Sequence, residues 1–562
     1  MRARTFGGGL AALALLGSAA PQPNDLVARG NHGVVVSQDR HATQVGLRVL
    51  EDGGNAVDAA VAVALTLAVT HPQAGNLGGG GFLVYRTLSG EVSTVDFRER
   101  APKSATRDMY LSADGSVDND KVQLGVTAAG VPGSPAGLIH ALQKFGTKNL
   151  SELAAPAIRY AREGFTVDRH LAASLRSKRG KLGRFASTRE IFFDDGAPLE
   201  QGDVLVQEDL ADTLARFAEG GHRGFYDGET AERVATHMAR DGGFVTADDM
   251  RGYAATERAP VRTNYRGYEV ISMGPPSSGG VAMIQMLNML SRFDLKPLGF
   301  GSSTYIHLLT EVMRRAYADR GRWLGDPDFY EAPVEGLISR SYADERGAGI
   351  DFDRMSDVGP GVPPGAKESD DTTHFSIIDK DGNAVSCTTT INSTFGSCCV
   401  ADGCGFFLNN EMDDFSAKPG VPNQFGLIGG KANAIAPGKR MLSSMTPTIV
   451  CKDGALRYVV GAPGGGRIIT AVMQVLLNVI DHGMPLQRAV AAPRVHHQWL
   501  PNHIQWEALA LPVDVRRALA AKGHQFRSSP RGIALIFAAE LRPDGTRLGV
   551  ADGRSGGAAA AY

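Results

Sequence analysis

The sequence predicts an α+β fold in which helices and strands form separate layers. Helical periodicity dominates from about residue 132 to residue 326, and strand patterns resume sharply after residue 371. Between these regions, residues 351–371 carry three prolines and six acidic side chains, a composition typical of an exposed linker. The 562-residue chain shows no internal repeat.

Strands and helices alternate in the first hundred residues. Gly53-Gly54 ends the first predicted helix, since glycine commonly terminates helices. Ser89-Gly90 supplies a turn between two β-rich runs, which together predict a hairpin. The glycine-rich run 75–81 indicates a backbone that passes very close to another segment. The predicted elements are a strand at 34–37, helices at 41–51 and 56–69, and hairpin strands at 82–86 and 92–97.

The last third of the chain is predicted to be rich in strands. Asp381-Gly382 lies between two β-rich runs and is a good hairpin signal. Three consecutive glycines, 464–466, directly precede an apolar helix. The predicted strands are 373–378, 384–391, 406–408, 448–451 and 456–460, and the helix is 468–480.

Composition and charge exclude several classes of protein. Lysine and arginine number 58 against 60 acidic residues, and the net charge of −2 argues against a nucleic-acid binder, which carries a basic face. Hydrophobic residues at 43% and charged residues at 21% are typical of a folded globular chain. The 69 glycines exceed the usual share, so they are expected at specific turns and close backbone approaches.

The first twenty residues have the anatomy of a secretory signal peptide. Arg2 and Arg4 form a positive start, residues 8–16 are apolar, and residues 17–20 are small. No later run reaches the 18 apolar residues that a membrane span requires. We therefore expect an exported protein, periplasmic or secreted, from which the signal peptide 1–20 is removed.

Several familiar catalytic and metal-binding patterns are missing or misplaced. The chain has no Ser-x-x-Lys, and its one Gly-x-Ser-x-Gly match, at 553–557, lies in the C-terminal tail without room for a following helix. The glycine loop 461–467 lacks the Lys-Ser/Thr of a phosphate-binding loop. Adjacent His496 and His497 fit one metal ion poorly. The five cysteines form no Cys-x-x-Cys pair. No cofactor or metal is predicted.

The junction between the linker and the next strand offers a different nucleophile. A threonine hydroxyl is weakly nucleophilic unless a base lies beside it. An N-terminal threonine carries its own base, because an α-amino group has a pKa of about 7.7–8.0. Cleavage of the chain before Thr372 creates such a residue at the start of a strand. From the residues alone, an ordinary Thr-Thr pair in a strand is the simpler interpretation.

A set of motifs, in order and at close to the expected spacing, resembles the γ-glutamyltransferase (γ-glutamyltranspeptidase, glutathione hydrolase) family. The likeness covers essentially the whole chain after residue 20. Because several independent motifs agree in register, the resemblance is specific. The matching segments are 75–81, 96–99, 372–376, 390–392, 408–415, 442–445, 463–465 and 493–499.

The resemblance implies a fold and a route of maturation. Members of the family are N-terminal-nucleophile hydrolases with a four-layer αββα sandwich, and they mature by self-cleavage. Carried over, the cut falls between Asp371 and Thr372 and gives a large subunit, 21–371, and a small subunit, 372–562, which form a heterodimer. By the same resemblance, Thr372 is the nucleophile for processing and for catalysis, and Thr390 orients its hydroxyl.

The resemblance also implies a substrate, a γ-glutamyl compound such as glutathione, whose acyl group passes to water or to an amino acid or dipeptide acceptor. A specific pocket has to pair the α-carboxylate and the α-ammonium of this substrate, because burying either one unmatched is costly. The implied oxyanion hole consists of the backbone N–H groups of Gly464 and Gly465. The implied substrate-binding residues are Arg98, Ser443 and Ser444 for the carboxylate, and Asn392, Glu411 and Asp414 for the ammonium.

Some positions depart from the commonest family pattern, and two alternative functions stay open. Gly466 stands where many relatives have a hydroxyl residue, and Glu411 stands where some bacterial relatives have glutamine. Residues 419–433 resemble a lid loop that some members lack, so a covered pocket is expected. One alternative is a glutaryl-β-lactam (cephalosporin) acylase of the same fold, whose substrate lacks the α-ammonium. The other is a non-enzymatic exported binding protein with these residues in a ligand cleft.

Overall fold

The computed structural model describes residues 26–361 and 373–562, apart from residues 419, 422 and 428–429. The predicted signal peptide 1–20, the end of the predicted linker, and the predicted cut between Asp371 and Thr372 lie outside the described residues. Two large sheets and the helices that cover them make up the architecture of the described part.

Twenty strands are assigned in the described residues, and fourteen of them form two seven-stranded sheets. The other six form three small two-stranded pairs. In chain order the strands are β1 (Val27–Gly30), β2 (Val34–Ser37), β3 (Gly80–Arg86), β4 (Val92–Phe97), β5 (Phe165–Thr166), β6 (Phe193–Asp194), β7 (Ala197–Pro198), β8 (Val204–Leu205), β9 (Thr256–Arg258), β10 (Val261–Tyr265), β11 (Tyr268–Ser272), β12 (Thr373–Ile378), β13 (Ala384–Thr390), β14 (Thr448–Lys452), β15 (Ala455–Gly461), β16 (Val495–His496), β17 (Gln505–Trp506), β18 (Phe537–Leu541), β19 (Arg547–Ala551) and β20 (Ala558–Ala561).

The two large sheets mix strands from both sides of the linker. Sheet I has the order β1-β19-β18-β15-β14-β11-β10, and sheet II has the order β20-β2-β12-β13-β3-β4-β9. Neighbouring strands in both sheets are antiparallel. In sheet II, β2 lies between β20 and β12, so a strand from before the linker is enclosed by two strands from after it.

Eighteen α-helices are assigned in the described residues. None of these helices is both long and apolar enough to cross a membrane. In chain order they are α1 (Arg40–Glu51), α2 (Ala56–Thr70), α3 (Asn119–Gln123), α4 (Ser134–Phe145), α5 (Leu150–Glu163), α6 (Arg169–Leu182), α7 (Ala186–Phe192), α8 (Glu208–Gly220), α9 (His222–Tyr226), α10 (Glu229–Asp241), α11 (Ala247–Arg251), α12 (Gly279–Leu290), α13 (Ser303–Trp323), α14 (Val334–Ile338), α15 (Arg340–Ala348), α16 (Arg467–Ile480), α17 (Leu486–Ala491) and α18 (Val513–Ala521).

The first two helices form where the sequence caps them. Asp39 caps α1, because its carboxylate accepts from the backbone N–H of Ala42 at 2.9 Å. Asn55 and Asp58 form a reciprocal capping box at the start of α2. Every residue of α2 is buried, as its alanine- and valine-rich sequence indicates.

The hairpin of β12 and β13 is closed by the predicted Asp-Gly turn. The carboxylate of Asp379 accepts from the backbone N–H groups of Asp381 and Asn383 at 3.0 and 2.9 Å. Gly382 has a φ of +85°, a conformation that favours glycine. The turn fixes the register of the two strands that lead to the candidate site.

Apolar side chains fill the space between the sheets and the space beneath the helices on each outer face. Val36 and Phe82 of sheet II meet Ile449 and Phe537 of sheet I in the central layer. Helices α1, α2 and α4 cover sheet II, and helices α12, α16 and α17 cover sheet I. The order helix, sheet, sheet, helix is the predicted αββα sandwich, so the predicted fold class is confirmed.

The predicted strand at 406–408 is wrong. In the described residues around it, only an isolated bridge between Val400 and Phe407 forms. Gly403 and Gly405 have φ values of +63° and +75° and turn the chain just before the apolar run. Phe406 and Phe407 therefore pack among the rings of the outer helical layer instead of joining a sheet.

The glycine-rich run 75–81 passes against other backbone, as predicted. A Cβ on Gly79 would overlap the carbonyl oxygen of Thr390 at the end of β13. The side-chain amide of Asn409 donates to the carbonyl oxygens of Gly78 and Gly130, both at 2.8 Å. The run thus brings the end of β13 and the segment after Asn409 together at one end of the central strands of sheet II.

Candidate active site

Arg98 directly follows β4 and lies fully buried in a cluster of charged side chains. Its Nη1 contacts Glu411 and lies 3.2 Å from Glu99 Oε2, and its Nη2 lies 2.6 Å from Asp414 Oδ2. The backbone carbonyls of residues 441–442 accept from Nε and Nη2 at 3.1 and 3.3 Å. One guanidinium therefore faces three buried carboxyl groups.

Burial and mutual repulsion shift the pKa values in this cluster. Burial raises the pKa of Glu99 to about 7, although Arg98 opposes the shift. Burial also raises the pKa of Glu411 well above its ordinary value, with Arg98 opposing and Glu99 adding to the shift. Burial alone would lower the pKa of Arg98, but the carboxyl groups of Glu411, Glu99 and Asp414 raise it. The cluster thus combines a charged guanidinium with two carboxyl groups whose protonation is favoured by burial.

Two buried side-chain atoms beside this cluster, Asn392 Oδ1 and Ser444 Oγ, have no hydrogen-bond partner among the described residues. Native structures rarely leave buried polar atoms unpaired, because each one costs about 1–3 kcal/mol. Two of them together indicate a place where a ligand supplies the missing bonds. Carboxyl and amide oxygens accept from an ammonium, and the Ser444 hydroxyl can donate to a carboxylate.

Thr390 and Asn392 lie at the end of β13, the partner strand of β12. Asn392 has a φ of +70°, and its backbone N–H donates to Thr390 Oγ1 at 2.7 Å. Its side-chain amide donates to the carbonyl oxygen of Asn410 at 2.9 Å. The hydroxyl hydrogen of Thr390 has no acceptor among the described residues. It is therefore available to a group at the start of β12.

Ser443 and Ser444 lie in a segment that is hydrogen-bonded to the residue preceding α12. The backbone N–H and the hydroxyl of Ser278 both donate to the carbonyl oxygen of Ser443 at 2.7 Å. The backbone N–H of Met445 donates to Ser443 Oγ at 3.2 Å. Since the carbonyl of the preceding residue, Leu442, binds Arg98, this segment borders the charged cluster.

Gly464 and Gly465 form a turn between β15 and α16. Their φ values of +140° and +69° are ones that favour glycine. The backbone N–H of Ile468 donates to the carbonyl oxygen of Gly465 at 2.9 Å and begins the helix. The backbone N–H groups of Gly464 and Gly465 have no acceptor among the described residues. Unpaired N–H groups at the positive end of a helix can stabilise a developing oxyanion.

Together these groups supply parts of an acyl-transfer site, namely oxyanion donors, a hydroxyl donor and a charged pocket. Within the described residues, no cluster of His, Cys, Asp and Glu is arranged to hold a metal ion. All five cysteines are buried free thiols. His496 hydrogen-bonds to Thr470 at 2.9 Å and to Gln498 at 3.0 Å, which gives it a structural role.

Comparisons with known proteins agree with this chemistry. A sequence profile described as Gamma-glutamyltranspeptidase matches residues 42–562. The chain belongs to the γ-glutamyltranspeptidase family. The Glutathione hydrolase proenzyme of Escherichia coli (strain K12) is 48% identical over 532 residues, which cover 94% of this chain and 91% of that protein. The predicted family is therefore confirmed.

Solved structures share the architecture. The crystal structure of cephalosporin acylase from Bacillus halodurans matches with a TM-score of 0.85 at 28% identity, covering 98% of this chain and 99% of that chain. The crystal structure of Helicobacter pylori gamma-Glutamyltranspeptidase matches with a TM-score of 0.57 at 43% identity, covering 58% of this chain and 94% of that chain. The γ-glutamyltranspeptidase family thus shares its αββα sandwich with an acylase.

Nine of the ten site residues suggested by resemblance to the γ-glutamyltranspeptidase family are described, and Thr372 lies outside the described residues. The structure brings Arg98, Glu411 and Asp414 into direct contact. Gly464 and Gly465 lie on a separate loop and make no hydrogen bond to this cluster among the described residues.

The segment that resembles the lid of γ-glutamyltranspeptidase family members contacts the candidate site where it is described. The side-chain amide of Asn423 lies 3.4 Å from Asp414 Oδ1. The backbone N–H of Gln424 donates to Asp413 at 3.3 Å, and its side-chain oxygen accepts from Ser393 at 2.8 Å. A cover over the pocket stays a prediction, because residues 419, 422 and 428–429 are not described.

Glu99 is a residue of the cluster that the sequence analysis did not select. It belongs to the motif that contains Arg98, and its carboxyl group is fully buried beside the guanidinium. A Cβ on Gly80 would lie 2.6 Å from Glu99 Oε2, so the glycine run leaves space for this carboxyl group. Two features of the sequence could have identified Glu99, namely the glycine run 75–81 and its position directly after Arg98 in the motif.

Proposed function

We propose that this chain is an autoprocessed γ-glutamyltransferase and glutathione hydrolase, in which Thr372 forms a γ-glutamyl ester. The observation that carries the proposal is the buried cluster of Arg98 with Glu411 and Asp414. A buried guanidinium beside carboxyl groups suits the amino-acid end of a γ-glutamyl compound, which carries one charge of each sign. Family membership supports the same activity.

The proposed cut between Asp371 and Thr372 gives a large subunit, 21–371, and a small subunit, 372–562. The described register of β12 and β13 begins with Thr373 opposite Thr389. Thr390 is the last residue of β13, whose end lies beside the start of β12, and its hydroxyl hydrogen is proposed to orient the nucleophile.

The proposed acylation is a balanced transfer. The α-amino group of Thr372 takes the hydroxyl proton while Oγ bonds to the γ-carbonyl carbon. The N–H groups of Gly464 and Gly465 stabilise the oxyanion, and each such donor is worth about 3–4 kcal/mol. The C–N bond then breaks, and the proton passes from the α-ammonium to the leaving amine.

The γ-glutamyl ester is then deacylated at the same site. Water gives glutamate, and the amine of an amino acid or dipeptide acceptor gives a new γ-glutamyl amide. An attacking amine has to be unprotonated, so transfer gains on hydrolysis as the pH rises. These steps use no metal or cofactor. Glutathione is the proposed donor, and an exported location, periplasmic or secreted, follows from the predicted signal peptide.

The likeness to cephalosporin acylase favours one second candidate, an acylase for a glutaryl amide. Such a substrate has no α-ammonium. The unpaired side-chain oxygen of Asn392 would then remain unsatisfied, which favours the γ-glutamyl substrate.

Denaturing gel electrophoresis and N-terminal sequencing test the proposal. The purified wild-type protein is expected to give two fragments, with Thr372 at the start of the shorter one. Thr372→Ala should give one uncleaved band and no turnover of a γ-glutamyl anilide, whereas Thr372→Ser should retain cleavage and part of the activity. An uncleaved wild-type protein with full activity would contradict the mechanism.

A further inference from the structure

The loop that carries Gly464 and Gly465 is held on one side by a tyrosine from the proposed large subunit. Tyr317 lies on α13 and is buried. Its hydroxyl donates to the carbonyl oxygen of Gly466, the residue that precedes α16. Gly466 directly follows the two glycines whose N–H groups have no acceptor among the described residues.

The ring of Tyr317 is fixed by its neighbours. The ring of His496 meets it edge-on, with centroids 5.5 Å apart and an interplanar angle of 84°. The guanidinium of Arg320 lies 5.9 Å from the Tyr317 ring centroid. His496 is itself hydrogen-bonded at 2.9 Å to Thr470, which lies on the first turn of α16. The Tyr317 hydroxyl is therefore held at one place relative to this helix.

The other side of the loop is fixed by the segment before β18. The backbone N–H of Leu535 donates to the carbonyl oxygen of Pro463 at 3.1 Å. A Cβ on Gly464 would lie only 2.7 Å from Cα of Ala534, so this segment packs directly on the loop. The chain is thus held before Gly464 and after Gly465, and the two N–H groups between these points have no acceptor in the described part of the chain.

Three consecutive glycines need such external restraints. Glycine loses more conformational entropy on ordering than any other residue, and it has no side chain to limit its backbone. An oxyanion hole works only if its donors lie within hydrogen-bond distance of the developing charge. A carbonyl fixed at Gly466 restricts the peptide planes on its N-terminal side.

We propose that Tyr317 is a positioning residue for the oxyanion hole. It acts through the Gly466 carbonyl, and it holds the N–H groups of Gly464 and Gly465 where the acyl oxyanion forms. This inference rests on the proposed function, which assigns those two N–H groups to the oxyanion.

Tyr317→Phe tests the proposal, because it keeps the ring and removes the hydroxyl. The loss of one oxyanion donor costs about 100–1,000-fold in kcat, and a displaced donor costs less. We expect kcat for a γ-glutamyl anilide to fall about 10–100-fold. KM should stay within about twofold, since the charged groups of the substrate bind at the Arg98 cluster.

A tetrahedral inhibitor separates positioning from general damage. A γ-boronic acid analogue of glutamate forms a tetrahedral adduct with the nucleophile and resembles the transition state. In Tyr317→Phe, its inhibition constant should weaken by the same factor as kcat/KM. Inhibition by norvaline, which has the same α-ammonium and α-carboxylate but no oxygen at the γ-position, should be unchanged.

Tyr305→Phe is the matched control. Tyr305 lies on the same helix and is equally buried, but its hydroxyl has no partner among the described residues. This variant should keep wild-type kcat and wild-type inhibition by the boronic acid. Equal losses in both variants, or kcat within twofold of wild type in Tyr317→Phe, would overturn the proposal.

Activity is expressed per mole of cleaved protein, measured on a denaturing gel. A Tyr317→Phe protein that never cleaves would overturn the proposal in favour of a role in maturation. Failure of the wild-type protein itself to turn over a γ-glutamyl anilide would instead refute the proposed function, so the two failures are distinguishable.

Discussion

At the scale of single residues, the charge around Arg98 determines which ligand fits. One guanidinium is paired with the carboxyl groups of Glu99, Glu411 and Asp414, so the cluster contains more acidic groups than basic ones. An α-ammonium offsets this excess, while an α-carboxylate competes with these carboxyl groups for the N–H donors of Arg98. A ligand with a carboxylate but no ammonium would leave the acidic groups without a balancing charge.

Asp414→Asn should distinguish a γ-glutamyl substrate from a glutaryl substrate. The change removes the charge that lies 2.6 Å from Arg98 and is proposed to accept from the ammonium. Loss of a buried charged hydrogen bond costs about 2–3 kcal/mol, so kcat/KM for a γ-glutamyl anilide should fall about 30–150-fold. Hydrolysis of a glutaryl anilide, measured in parallel, should not fall.

Asp413→Asn is the matched control for Asp414→Asn. Asp413 is also buried, but its carboxylate accepts from Gln123 and Gln424 instead of Arg98. Its neutralisation should change kcat/KM for the γ-glutamyl anilide by less than the change at Asp414. Equal losses on both anilides in Asp414→Asn would contradict a role in recognising the ammonium.

The sequence motifs predicted most of this cluster but not its contacts. Arg98 and Asp414 were identified by their place in family motifs, because the order of residue types is visible in the chain. The contact of Glu99 with the same guanidinium depends on how the glycine run lies against β4. The raised pKa of Glu99 follows from burial, which only the folded chain defines.

At the scale of elements, the start of β12 and the end of β15 pack through a histidine and a glycine. The ring of His374 on β12 hydrogen-bonds to Thr388 and Ser376, both at 2.9 Å. A Cβ on Gly461 at the end of β15 would overlap this ring. Burial lowers the pKa of His374 to about 3, so the ring packs as a neutral group.

Gly461→Ala should therefore disturb the loop that follows β15. The His374 ring is buried and held at both nitrogens, so the strand that leads to the glycine loop has to shift instead. Overpacking of this kind costs about 1–3 kcal/mol of unfolding free energy. We expect a lower melting temperature and a reduced kcat for a γ-glutamyl anilide.

Gly532→Ala provides the comparison for Gly461→Ala. A Cβ at Gly532 would meet no atom within 4 Å. This variant should keep the melting temperature and kcat of the wild-type protein. A Gly461→Ala protein as stable and active as wild type would show that β12 and β15 tolerate a wider spacing.

Elements that depend on interactions between residues close in sequence could be predicted from the sequence. Capping by Asn55 and the turn at Gly382 depend on neighbours in sequence, and both elements form as predicted. The run 406–408 has the apolar composition of a strand, but the turns at Gly403 and Gly405 direct it into the outer helical layer. The segment against which a short apolar run packs is determined by the tertiary structure and cannot be seen in the run itself.

At the scale of the whole molecule, the two proposed subunits are interleaved. Strand β2 of the large subunit pairs with β20 and β12 of the small subunit, and β3 pairs with β13. In sheet I, β1 pairs with β19, and β11 pairs with β14. The proposed cleavage before Thr372 would break one peptide bond and is expected to leave these strand pairs in place.

The cleaved protein should therefore behave as one particle. We expect both fragments to elute together in size-exclusion chromatography under native conditions and to separate only in denaturant. Fragments that separate without denaturant would contradict the interleaved sheets.

Strand β20 contributes directly to this association. It pairs with β2 from Ser37↔Ala558 to Val34↔Ala561, and the backbone of Tyr562 exchanges hydrogen bonds with Gly33 and His32. Deletion of residues 558–562 removes these bonds, each worth about 0.5–1.5 kcal/mol, and exposes the edge of β2. We expect a loss of several kcal/mol in the unfolding free energy and release of the fragments at lower denaturant concentration.

Tyr562→Phe removes only the hydroxyl that donates to the carbonyl oxygen of Leu50, so its effect should be smaller. If the deletion and Tyr562→Phe release the fragments at the same denaturant concentration, β20 does not hold the subunits together.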